Sequence, residues 1–158
     1  MTFTVRRAVA EDMDELLRLC EERREVYLQA ERRLPPFAEA QHGWRESVLS
    51  WMTRDDAAVM VAARDDGLIG YIIGWVWHNP PAAEPQKFGL VSEMSVDGHC
   101  KQGGVGTAMF DGLKTWFREN NLEVVEVRVP RVQPIEQAFW RSVGAKPFVD
   151  HLYYRIDT

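Results

Sequence analysis

The stretch from Val91 to Gly106 limits the possible folds more than any other part of this chain, because it reads as a strand delivered through a glycine turn into a helix. Val91 to Val96 is an extended run that Asp97 and Gly98 interrupt. Gly103, Gly104 and Gly106 then lead into a helical stripe of Val105, Met109, Leu113, Trp116 and Phe117. Three glycines remove Cβ atoms, so successive backbone N–H groups can converge, and the helix behind them adds the positive end of its dipole. A junction of this kind holds phosphate. Its spacing excludes two familiar versions. A P-loop requires Gly-Lys-Ser/Thr where this chain has Gly103-Gly104-Val105. The dinucleotide fingerprint fails because Gly104-Val105-Gly106 is followed three positions on by Met109.

The rest of the chain supplies the elements around this junction. Thr2 to Val9 alternates as a short strand, and Glu11-Asp12 open a helix with the stripe Met13, Leu16, Leu17, Cys20, Tyr27 and Leu28. The Glu and Arg residues on its other face read as a solvated surface laced with ion pairs. Pro35-Pro36 break the pattern, and a weaker helix is predicted over Gln41 to Met52. Ala57 to Arg64 is a strand, Asp65-Asp66-Gly67 a hairpin turn, and Leu68 to Trp77 an almost wholly apolar strand for the sheet interior. After a proline-rich loop over 79–85, Phe88 to Val96 returns as strand. The helix from Val105 ends at Asn120-Asn121, Val125, Val127 and Val129 alternate as a strand, and Ile135 to Val143 is a short helix stopped by Gly144. Pro147 to Ile156 closes the chain as strand. The order β, α, α, β meander, α, β, α, β predicts an α/β fold with a mixed sheet, in one domain over residues 1–158.

Charge and cysteine content then exclude several partners. With 19 Lys+Arg against 24 Asp+Glu the net charge is −5, which argues against a nucleic-acid surface. The longest uncharged apolar run, Leu68 to Trp77, has ten residues where a membrane span needs about twenty, and the N-terminus lacks the apolar region of an export signal. Cys20 and Cys100 are too few for a disulfide framework, so a cytoplasmic protein is expected. The acidity is uneven. Residues 1–100 carry 11 basic and 17 acidic side chains, giving −6, and residues 101–158 carry 8 and 7, giving +1. The half that holds the glycine turn is thus the half able to receive phosphate.

Lys101-Gln102-Gly103-Gly104-Val105-Gly106 resembles the Gln/Arg-x-x-Gly-x-Gly/Ala motif of the GNAT superfamily of acyl-CoA N-acyltransferases, with Lys101 where Gln or Arg is usual. The resemblance extends over the order of elements from Ala57 to the C-terminus, whereas residues 1–56 match only as a strand and two helices. It implies a mostly antiparallel sheet in which two parallel neighbours, Phe88–Val96 and Leu122–Val129, splay apart to take the pantetheine arm of acetyl-CoA, the acyl donor. The backbone of Met94, Ser95 and Val96 would pair with the pantetheine amides as with an added strand. The N–H groups of Gln102, Gly103, Gly104, Val105, Gly106 and Thr107 would cradle the pyrophosphate, with Lys101 adding a point charge. Gln133 stands where the family usually carries an Asn near the pantetheine. Trp140 stands where many relatives carry a Tyr.

Amide formation from a thioester needs an acceptor for the amine's proton, because an alkyl ammonium has a pKa near 10. Glu93 is the only ionisable side chain between Phe88 and Val96, and the family often places a carboxylate on this strand, so it is the expected base. In a regular strand Glu93 points away from the Met94 side, and a bulge would decide which face it reaches. The Met94 N–H is the expected donor to the thioester oxygen. An indole cannot protonate a thiolate, so Trp140 is expected to pack only; Tyr71, Tyr153 and Tyr154 are the alternative acids, or the thiolate leaves unaided. The four histidines, His42, His78, His99 and His151, show no metal-ligand spacing, and no metal is expected. Trp44 and Trp51 lie seven apart on one face of the second helix, which in the resembling fold borders the acceptor site. The expected activity is N-acetylation of a small-molecule or peptide primary amine. A non-catalytic acyl-CoA-binding or regulatory module is the rival, and a homodimer is left open.

Overall fold

The structure, a computed structural model, describes residues 2–30, 37–100, 102–131, 133–152, 154 and 156. They gather into two compact units, residues 1–128 and 129–158. Lys101 and Tyr153 lie outside the described residues.

The first unit is built on a five-stranded sheet in the order β1 (Thr4–Arg7), β2 (Ala57–Arg64), β3 (Gly67–His78), β4 (Lys87–Val96) and β5 (Val125–Val127). Neighbours are antiparallel except β4 and β5, which run parallel. This is the α/β fold with a mixed sheet that the pattern predicts, and its mostly antiparallel pairing is what the resemblance implies. Side chains alternate across β3, so its odd and even residues serve different helices. Tyr71 and Ile73 join Val59 and Val61 against α1 (Met13–Ala30) and α2 (Phe37–Trp51), in a core with Leu16, Leu19, Cys20 and Val48. Gly70 and Gly74 face α3 (Val105–Glu119). A Cβ at Gly74 would come within 2.7 Å of Leu113, so its missing side chain is what lets the helix lie this close.

Helix boundaries follow local chemistry. The first strand is shorter than the predicted Thr2–Val9, because the Val9 N–H is taken at 2.9 Å by the Asp12 carboxylate and the chain turns there into α1. Arg6 donates to the same carboxylate at 2.7 and 2.8 Å, tying β1 to the start of the helix. At the other end of the unit α3 stops where expected. Asn121 adopts φ 58°, a left-handed conformation that asparagine tolerates better than most residues. The last strand is three residues long, shorter than the predicted run to Val129, because β4 offers it only Gly89, Leu90 and Val91 as partners.

The second unit carries α4 (Pro134–Ser142), with proline in its first turn and Gly144 at φ 97° past its end. The Gln133 carbonyl accepts the Gln137 N–H at 3.0 Å, which opens the helix. The predicted strand Pro147–Ile156 is not found: none of its described residues joins a ladder. Alternating apolar residues make a strand only where a partner supplies N–H and C=O groups, and here Asp150 instead pairs through its side chain with Arg131.

Candidate active site

The middle of β4 departs from regular pairing. Glu93 lies opposite Ile73 but Val91 lies opposite Gly74, so Ser92 is an extra residue, a bulge. Gly89 and Val91 face α3, and strict alternation would carry Glu93 to that face as well. The extra residue reverses the phase. Both bulge side chains turn toward α1 and α2: Trp75 Nε1 donates to Ser92 Oγ at 2.9 Å, and Tyr71 Oη donates to Glu93 Oε2 at 3.0 Å.

Glu93 is held at both oxygens. Trp44 Nε1, from α2, donates to Oε1 at 3.3 Å, while Arg23 Nη1, from α1, stands 3.8 Å from Oε2. The carboxylate still has lone pairs to spare, and 19% of the side chain is exposed. Behind it lie two protonated groups. Burial, then the Glu93 charge, keeps the fully enclosed Tyr71 hydroxyl well above its ordinary pKa, and the same two causes push the Cys20 thiol up to about 12. Neither ionises near neutrality, so neither is a nucleophile there. Tyr71 has committed its proton to Glu93, and Tyr154 is largely exposed.

One edge of β4 is open. The Asp97 N–H donates to Ile69 O at 3.0 Å, toward β3, so alternation turns the amides of Met94 and Val96 the other way, toward β5. On that side the pairing ends where Arg128 N–H meets Val91 O at 3.5 Å, and among the described residues no strand continues beyond it. The Ser95 hydroxyl turns to Leu19 O of α1, at 3.4 Å. This is the parting of parallel neighbours that the resemblance implies.

Just beyond the open edge comes the glycine turn. Gly104 sits at φ 82° and its carbonyl accepts the Ala108 N–H at 2.9 Å, the first bond of α3. No side chain caps this helix start, so the N–H groups of Val105, Gly106 and Thr107 have no intrahelical acceptor. A Cβ on Gly103 or Gly104 would meet nothing within 4 Å, so the space before these amides is open. An uncapped helix start with open space before it fits a phosphate. The Gln102 side chain is held back by Arg64 Nη2, whose distance to Oε1 is 3.1 Å.

The remaining expected residues divide clearly. Gln133 and Trp140 belong to the second unit, where both are buried and Trp140 meets Phe139 edge-on at 5.0 Å. His99, with no ligand spacing in sequence, comes within 4.8 Å of carboxylates from Glu22 and Asp97, but Arg18 already pairs with both acids at 2.8 and 2.9 Å. Sequence reasoning passed over Arg23, Ser92 and Arg64, whose roles depend on contacts far along the chain and leave no local signature. Trp44 had a partial signal in its spacing from Trp51.

An open strand edge running into a glycine-led helix start defines a class of proteins that lay a long ligand with a phosphate tail along a sheet. Residues 12–145 match the sequence model of the Acetyltransferase (GNAT) family, and the chain belongs to that family. Its fold is similar to that of an aminoglycoside acetyltransferase from an uncultured soil metagenomic sample, with TM-score 0.70 and 18% identity over 98% of this chain and 97% of the other. A ribosomal-protein-alanine N-acetyltransferase of Brucella melitensis superposes with TM-score 0.70 and 16% identity, over 99% and 100% of the two chains. A predicted acetyltransferase of Clostridium acetobutylicum, solved with acetyl-CoA, gives 0.77 and 13% over 98% and 96%. No curated protein matches the sequence. Among the described residues no helix is long and apolar enough to cross a membrane.

Proposed function

We propose that this chain is an acetyl-CoA-dependent N-acetyltransferase that acetylates a primary amine of a small-molecule or peptide acceptor by direct attack on the thioester, and that residues 1–158 serve as one domain in the cytoplasm. The observation that carries the reading is the Ser92 bulge, which sets the Glu93 carboxylate on the α1/α2 face directly beside the open edge at Met94. The pantetheine arm adds to β4 through the amides of Met94 and Val96, with Ser95 between them facing β3. The pyrophosphate meets the N–H groups from Gln102 to Thr107, and by their places in the resembling family's motifs Lys101 is assigned to the phosphates and Gln133 and Trp140 to the arm. Glu93 receives the proton of the attacking amine, directly or through water. Nitrogen bonds to the carbonyl carbon, the oxyanion is met by the Met94 N–H, and the C–S bond breaks to release the thiolate. A thiol has a pKa of about 8.5, so the thiolate leaves without a protein acid and takes its proton from solvent. No tyrosine needs to replace Trp140 for this step.

Thiol release from acetyl-CoA across a panel of primary amines tests the reading. At least one amine should stimulate release, and Glu93→Gln should lower that rate about 100-fold or more while acetyl-CoA affinity stays within about twofold. Acetyl-CoA binding with no stimulation by any amine would establish the binding module instead.

A further inference from the structure

The loop joining β4 to α3 is fixed from two sides. Arg18, from α1, donates to Asp97 Oδ2 at 2.9 Å and to Leu68 O of the hairpin at 2.9 Å, and Asp97 in turn accepts the His99 N–H at 2.8 Å. Arg64 holds the other side. It is the last residue of β2, yet its Nη2 reaches 36 and 38 positions along the chain to Cys100 Sγ at 3.2 Å and Gln102 Oε1 at 3.1 Å. Gln102 stands immediately before Gly103 and Gly104, and Cys100 two positions before Gln102.

Nothing in the sheet requires arginine at this position, since the β2–β3 ladder closes through backbone groups at Arg64 and Gly67. The side chain is nonetheless expensive to place. Its Nε is sealed from solvent without a hydrogen-bond partner among the described residues, and no described carboxylate forms an ion pair with it. A guanidinium offers five N–H donors, and here a neutral amide and a thiol answer only one nitrogen. A half-buried cation with no direct ion pair among the described residues is less favourable in the free protein than a paired one. It becomes favourable when an anion arrives, and the uncapped start of α3 is where the geometry admits one.

We infer that Arg64 is the positioning residue of the phosphate loop: through Cys100 and Gln102 it sets the chain that enters Gly103 and Gly104, and it leaves a positive charge for the phosphates. This rests on the reading of the loop as the coenzyme A phosphate site. Holding the loop in its binding form beforehand removes part of the ordering cost that binding otherwise carries.

The test is titration of coenzyme A and, separately, of pantetheine, which lacks the phosphates, into the intact chain. Arg64→Met should weaken coenzyme A about 10- to 50-fold and leave pantetheine within about twofold. Arg64→Lys keeps the charge but loses the fork, so it should recover part of the affinity; it also serves if the methionine variant fails to fold. Combined with Gln102→Leu, Arg64→Met should cost less than the product of the single effects, because the two share one contact. Unchanged coenzyme A affinity in Arg64→Met, or equal weakening of both ligands, overturns the inference. A wild-type chain that binds no coenzyme A overturns the acetyl-CoA reading itself and this inference with it, and that outcome is read before any variant is made.

Discussion

At the scale of single residues, the candidate site depends on how one carboxylate is aimed. Glu93 was legible in the sequence because it is the only ionisable side chain between Phe88 and Val96. Its direction was not, because one unmatched residue, Ser92, reverses the face that alternation assigns, and a bulge has no local sequence signature here. Trp44 and Tyr71 each donate to a different oxygen of that carboxylate, so the ring of α2 and the phenol of β3 together fix its plane. If they act on the reaction through Glu93, their loss matters only while Glu93 is present. Trp44→Phe and Tyr71→Phe should each lower kcat about 5- to 20-fold in the wild-type background and have almost no further effect in Glu93→Gln. Equal effects in both backgrounds would make them packing residues only.

At the scale of elements, the strand–turn–helix unit was read correctly because its signals are local: glycines, then a clean apolar stripe from Val105 to Phe117. The turn also separates two kinds of glycine. Gly104 stands at φ 82°, where any side chain is strained, whereas Gly103 is not in the left-handed region and has open space before it. Gly104→Ala should therefore lower stability by about 1 kcal/mol as well as weaken acetyl-CoA. Gly103→Glu should leave the unfolding midpoint within about 2 °C and weaken acetyl-CoA at least 50-fold, by placing bulk and negative charge in the phosphate space. Calorimetric binding together with thermal unfolding separates these outcomes, and normal affinity in Gly103→Glu would remove the phosphate from this site. The elements read too long, β1 and β5, ended where a tertiary partner ended. For β1 this was the side chain of Asp12, and for β5 the short length of β4 before its bulge. The strand expected over Pro147–Ile156 failed for a related reason, since periodicity reports which face is apolar and not whether a neighbour exists.

At the scale of the whole molecule, the excess acidity of residues 1–100 is partly engaged in ion pairs: Asp12 by Arg6, and Glu15, Glu22 and Asp97 by Arg18. Their consequence is a defined response to pH. Hydrogen bonds from Arg6 hold Asp12 below the usual carboxylate range against the opposing effect of burial. Burial raises Asp97, but the His99 N–H and Arg18 outweigh it, so Asp97 is lowered too. A depressed carboxyl binds its proton more weakly folded than unfolded, so its contribution to stability is complete above the unfolded value of about 4 and is lost as pH falls through the folded one. Cys20 and Tyr71 behave oppositely, because burial makes the folded chain hold their protons more tightly. Their contributions are complete below the unfolded values of about 8.5 and 10 and decline as pH rises toward the folded ones. The unfolding midpoint should therefore form a plateau between about pH 5 and 8 and fall on both sides. Asp12→Asn, which removes a charged partner from Arg6 and the Val9 N–H, should lower the plateau by about 2–6 °C yet converge with wild type as the pH falls through the lowered folded value of Asp12. Tyr71→Phe should make the alkaline fall shallower above about pH 10. Parallel curves for wild type and Asp12→Asn across the whole range would show that the Asp12 ion pair contributes nothing to the folded state.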